Sequence, residues 1–174
     1  MSIKIDKVIV QKRVTFLDYI FGGCEISLQV AIDFTASNGA PSNPQSLHFM
    51  GQTGVPNQYV AAIQSVGSIL EQYDTDKRYP VYGFGGRMAE NPTATSHCFA
   101  LNGDIFRPEV PGVQGILNVY QHAIQRASLH GPTFFSPILN YVNGYCQQKA
   151  METSQYNQQY TILLILTDGA IMDM

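Results

Sequence analysis

Asp33, Thr35 and Ser37 sit where an alternating apolar run ends, and Asp168 follows a second, almost unbroken apolar run. If those two runs are strands of one sheet, two carboxylates and two hydroxyls can meet at their ends. Such a set offers only oxygen atoms, which is what a hard divalent cation takes; Mg²⁺ keeps near-octahedral geometry with few carboxylates and several waters. Few anionic ligands leave the ion electrophilic and partly open, so a carboxylate from another protein could complete its shell. The Asp-x-Thr-x-Ser pattern is weak when taken alone, because an Asp followed by hydroxyl residues after a strand also makes turns and caps. Asp168-Gly169 reads equally well as a plain turn.

The elements that must position these residues follow from periodicity. Ile26, Leu28, Val30 and Ile32 alternate with Ser27, Gln29 and Ala31, which predicts a first strand over 26–32. Residues 37–57 are rich in Gly, Pro, Ser and Asn and predict a long loop, a place where function concentrates. Val60, Ile63, Gly67 and Leu70 recur at helical spacing, giving a helix over 57–73. A short strand over 79–84 and a hairpin partner over 96–101 come next, then an amphipathic helix from Pro111 to about His130. Ser136-Pro137 predicts a cap and first-turn proline for a third helix, and Tyr160 to Leu166 has the composition of a parallel strand covered on both faces. Val8 to Ile20 is expected to be extended, Gly22-Gly23 breaks it, and the polar run over 147–159 reads as loop. Strands alternating with helices predict an α/β fold with a doubly wound, mainly parallel sheet, in which ligands sit beyond the carboxyl ends of the strands.

Composition narrows the partners. With 174 residues and 45% apolar content the chain suits a single domain, and a net charge of −3 with 13% charged residues gives no basic footprint for nucleic acid. Cys24, Cys98 and Cys146 are odd in number and form no CxxC, so neither a disulfide framework nor a zinc site is expected; they are read as buried small apolar groups in a reducing compartment. Met1 to Val10 lacks the apolar core of a signal peptide, and Ile162 to Leu166 is too short to cross a bilayer. Gly83-Phe84-Gly85-Gly86 has Met88 where a dinucleotide loop needs its last Gly, so it reads as a turn. His48, His97, His122 and His130 lack ligand spacing.

Asp33-Phe34-Thr35-Ala36-Ser37-Asn38-Gly39, preceded by Phe16-Leu17-Asp18-Tyr19-Ile20, resembles the copine signature, and the likeness continues through Tyr73-Asp74-Thr75-Asp76-Lys77, Gly83-Phe84-Gly85 and Leu166-Thr167-Asp168-Gly169. The resemblance implies a von Willebrand factor A-type, Rossmann-like domain over 23–174, incomplete at its C-terminus, after a 1–22 junction like that following a second C2 domain. It implies a metal-ion-dependent adhesion site with Mg²⁺ or Mn²⁺ on Asp33, Thr35, Ser37, Thr133 and Asp168, Thr35 standing where Ser is usual. A non-enzymatic module binding an acidic side chain of intracellular proteins is then expected. Calcium-dependent phospholipid binding and recruitment from cytoplasm to plasma membrane would rest on C2 domains absent from this chain. The alternatives are a metal-dependent phosphohydrolase or kinase-like enzyme with Asp33 as nucleophile or base, and a truncated, non-binding variant. In the implied sheet order the fourth strand lies at an edge, where its unpaired backbone would favour association.

Overall fold

The computed structural model describes residues 7–173 apart from 12, 52–54, 155 and 170. In chain order its elements are α1 (Phe16–Phe21), β1 (Glu25–Asp33), a 3-10 turn (Ala36–Asn38), α2 (Gln58–Leu70), β2 (Arg78–Phe84), β3 (Gly86–Arg87), β4 (Phe99–Ala100), β5 (Glu109–Pro111), α3 (Gly112–Arg126), β6 (Ser128–Leu129), α4 (Ser136–Glu152) and β7 (Gln159–Leu166). The main sheet runs β4-β2-β1-β7, with β5 also pairing β2. β1 is parallel to both neighbours, Val30 lying opposite Val81 on β2 and Leu164 on β7. The chain is therefore α/β with a mixed, mostly parallel sheet.

Period-two alternation on β1 divides the core. Leu28, Val30 and Ile32 point to the layer containing Ile63 of α2 and Ile116, Leu117 and Tyr120 of α3. Ala31, with Tyr82 and Phe84 of β2, meets Ile138 and Val142 of α4 on the other face. Helices thus cover both faces, and β1 is buried from Ile26 onward, whereas β7, at one end of the sheet path, keeps Thr161 to Ile165 half-buried. This placement agrees with the edge position expected for the fourth strand.

Several local expectations change. Phe16–Phe21 is helical rather than extended, because Thr15 and Asp18 form a reciprocal cap: the Asp18 N–H donates to Thr15 Oγ1 at 3.3 Å and the Thr15 N–H to Asp18 Oδ2 at 2.8 Å. Residues 1–6 and 12 of the expected junction, and Gly54 of the long loop, lie outside the described residues. Ser136 is the first residue of α4 and not its cap; its N–H and that of Phe135 donate instead to the Asp173 carboxylate, at 2.7 and 2.9 Å. The polar run begins inside α4, which continues to Glu152. All three cysteines are only partly buried.

Ile116 is wholly enclosed between α3 and the sheet, so Ile116→Ala should lower the stability measured by urea unfolding by about 2–5 kcal/mol. The same truncation of half-buried Ile162 on β7 should have a distinctly smaller effect.

Candidate metal centre

β1 delivers Asp33 to the carboxyl end of the sheet with its side chain wholly enclosed. A carboxylate in that position needs donors. The Thr35 N–H gives one to Oδ1 at 2.8 Å, and the Thr167 hydroxyl gives one to Oδ2 at 2.8 Å across the β1–β7 junction. Each oxygen keeps lone-pair capacity for a further contact. The Phe34 N–H bonds the Phe84 carbonyl at 2.7 Å, and Phe34 and Ala36 exchange backbone bonds with His130 at 3.1 and 2.8 Å, laying the 131–133 loop beside the 33–37 segment.

The 3-10 turn then curls Ser37 back toward Thr35, so that the two hydroxyls stand 3.0 Å apart. Asn38 Nδ2 donates to both the hydroxyl and the carbonyl of Thr35, at 3.1 and 3.2 Å, and the Tyr59 hydroxyl donates to Asn38 Oδ1. Ser37 faces solvent while Thr35 and Thr133 are buried. Asp168 is exposed one residue beyond Thr167, and its charge is felt at His48 and at Tyr59, as Asp33's is at Tyr59. Thr133 is held by its backbone: its carbonyl accepts from the Met172 N–H at 3.0 Å, while Asp173 caps α4 a turn away. The structure therefore joins Asp33, Thr35 and Ser37 by direct contact, and brings Asp168 to the same end of the sheet. Thr133 stands buried in the adjoining loop, where its backbone, not its side chain, is tied to Met172.

Two supporting residues escape sequence reading. His48 lies fully buried between the Asp33 carbonyl, 2.9 Å from Nε2, and the Tyr120 hydroxyl, 2.9 Å from Nδ1. A carbonyl only accepts, so Nε2 carries the proton and the neutral ring takes its second bond from Tyr120. Burial lowers the His48 pKa to about 4, against the raising effects of the Asp33 carbonyl and the Asp168 charge. Gly85 has φ +77°, and a Cβ there would come within 2.3 Å of Thr35 Cγ2. Its missing side chain is what lets the turn after β2 approach the site so closely.

The Copine family model matches residues 46–174, a span that begins after Asp33, Thr35 and Ser37. Protein BONZAI 1 and Protein BONZAI 2 of Arabidopsis thaliana are each 44% identical over 170 residues, covering 98% of this chain. Copine-A of Dictyostelium discoideum is 42% identical over 172 residues, 99% of the chain. The chain spans 28% of the length of each of these relatives.

Because the folded His48 pKa is below its unfolded value of 6.5, the unfolded chain binds the extra proton first, and stability is lost as pH falls from about 6.5 toward 4. Urea unfolding at pH 7 and pH 4.5 should differ by about 2–3 kcal/mol on this account, and His48→Gln should remove that part of the slope. Gly85→Ala should destabilise the fold by at least about 1–2 kcal/mol from backbone strain alone, with amide resonances of 33–38 shifting as Thr35 is displaced.

Proposed function

The chain belongs to the copine family, and on that premise we propose that it is a non-enzymatic protein-binding module whose Asp33, Thr35, Ser37, Thr133 and Asp168 hold Mg²⁺ or Mn²⁺. The ion would supply an electrophilic position for the acidic side chain of a partner protein. One observation carries this reading: Thr35 Oγ1 and Ser37 Oγ lie 3.0 Å apart beside a buried carboxylate whose bonds come from an N–H and a hydroxyl. Among the described residues no lysine or arginine forms an ion pair with Asp33. Two carboxylates and three hydroxyls suit a hard ion that retains water and an exchangeable position.

His48 supports the non-enzymatic side of the proposal. Both ring nitrogens are engaged and its pKa is lowered to about 4, which leaves it a positioning residue for the Asp33 backbone and a poor base at neutral pH. In a longer copine-type protein, calcium-dependent phospholipid binding and movement from cytoplasm to plasma membrane would be the work of C2 domains. Among the described residues no helix is long and apolar enough to cross a membrane.

Calorimetric titration with Mg²⁺ and Mn²⁺ tests the site. Saturable binding that raises Tm is expected, since a ligand taken only by the folded state must stabilise it. Asp33→Ala should abolish binding. Ser37→Ala, at an exposed position, should weaken binding about tenfold or more while leaving the metal-free Tm unchanged, loss of a charge-assisted contact being worth about 1.5–3 kcal/mol. Unchanged affinity in Ser37→Ala and Asp33→Ala, both folded, would sink the proposal.

A further inference from the structure

Thr35 is fixed in every respect but one. Its backbone N–H is spent on Asp33 Oδ1 at 2.8 Å. Its methyl group fills the space left by Gly85, where a Cβ would stand 2.3 Å from Cγ2, and a β-branched side chain packed in this way keeps one χ1. Packing therefore sets the position of Oγ1, and the remaining freedom is the direction of its hydrogen.

Groups outside the 33–37 segment decide that direction. Asn38 Nδ2 lies 3.2 Å from the Thr35 carbonyl and 3.1 Å from Thr35 Oγ1. A carbonyl only accepts, so this end of the amide is its NH₂ group and the far end is its oxygen. That oxygen faces the Tyr59 hydroxyl, which must donate to it. Asn38 and Tyr59 are 3% and 4% exposed, which keeps away water that could turn the amide over, and the Tyr59 ring is held edge-on against His48 at 4.8 Å. The 3-10 turn does not need all of this. Its closure is served by the Asn38 backbone N–H and Nδ2, both on the Thr35 carbonyl, at 3.3 and 3.2 Å; the second amide hydrogen acts on the Thr35 hydroxyl alone.

A hydroxyl has one hydrogen and two lone pairs. With one lone pair of Thr35 Oγ1 taken by Asn38, a bond received from Ser37 would take the other and leave the Thr35 hydrogen buried without an acceptor among the described residues. The reverse direction, Thr35 Oγ1 donating to Ser37 Oγ at 3.0 Å, leaves no buried donor unmet. Donors then run one way, from Tyr59 to Asn38 to Thr35 to Ser37. One lone pair stays free on each hydroxyl, and the hydrogen of exposed Ser37 is left for solvent or an incoming acidic group. On the reading that Asp33, Thr35 and Ser37 hold a cation, we infer that Tyr59 and Asn38 are positioning residues, which keep the two hydroxyl hydrogens in one direction so that Thr35 and Ser37 each present a lone pair to the ion. Both act through Thr35, and partners of this kind commonly govern how well a ligand binds its metal.

Tyr59→Phe keeps the ring and removes only the donor, so it is the variant to titrate with Mg²⁺ and Mn²⁺ in the 174-residue chain, its folding checked by circular dichroism. Its affinity for either ion should fall about tenfold. Without metal, the side-chain amide resonances of Asn38 should move. Tyr82→Phe deletes a buried hydroxyl without a partner on the other face of the sheet and should leave both ion affinity and the Asn38 resonances as they are. A double-mutant cycle separates orientation from plain support: Ser37→Ala removes the acceptor at the end of the series, so in that background Tyr59→Phe should weaken binding less than about twofold. Wild-type affinity in folded Tyr59→Phe, unmoved Asn38 resonances, equal losses in the two backgrounds, or the same loss in Tyr82→Phe would overturn the inference and leave the metal centre standing. No saturable binding of either ion to the wild-type chain would remove the metal centre and this role of Tyr59 and Asn38 together.

Discussion

A carboxylate withdrawn from water at the tip of an otherwise apolar strand dictates much of what surrounds it. Asp33 takes a backbone donor from two residues ahead and a hydroxyl from the far end of β7, and its own carbonyl engages a histidine that must stay neutral. Each demand recruits another group. His48 needs Tyr120, whose hydroxyl also takes a bond from Asn57 at 3.3 Å, and Asn57 caps α2 through the Val60 N–H at 2.8 Å. The long loop that looks unstructured by composition is therefore pinned at its middle by the requirements of one buried charge.

A parallel sheet makes such a concentration possible. Side by side, β1 and β7 release their chains at the same end, so Asp33 and Asp168 reach one end of the sheet without any local sequence relation. The amino ends of β1, β2 and β7 gather Glu25, Arg78 and Gln159 at the opposite end of the sheet. α4 links the two ends, its start tied to Asp173 beside Thr133 and its last turns, with Tyr145 and Lys149, lining a cavity at those amino ends.

Elements with strong periodicity were legible in the sequence. β1, β7 and the three long helices match their apolar patterns, and the Asp33, Thr35, Ser37 group was placed correctly at a strand end. Misreadings arose where a distant group decided a local outcome. Ser136 has the chemistry of a cap, yet Asp173, 37 residues away, takes that role. His48 finds partners 15 and 72 positions distant, a relation without any spacing signature. Gly85 was visible only as a turn glycine, since nothing in the sequence says that Thr35 would occupy the space its side chain would need. α1 is different: the Thr15-x-x-Asp18 spacing of a reciprocal cap stands in the sequence itself, inside the stretch expected to be extended.

The bond from Thr167 to Asp33 closes a separation of 134 residues. Loop-closure entropy and the low local content of parallel pairing place such contacts late in folding. The first helix layer, with α2 and α3 near in sequence, can assemble before β7 docks, but the oxygen set at the sheet's carboxyl end cannot exist until it does. Ion occupancy at that end would consequently act as a seal on the last step of assembly, reporting a finished domain to whatever binds it.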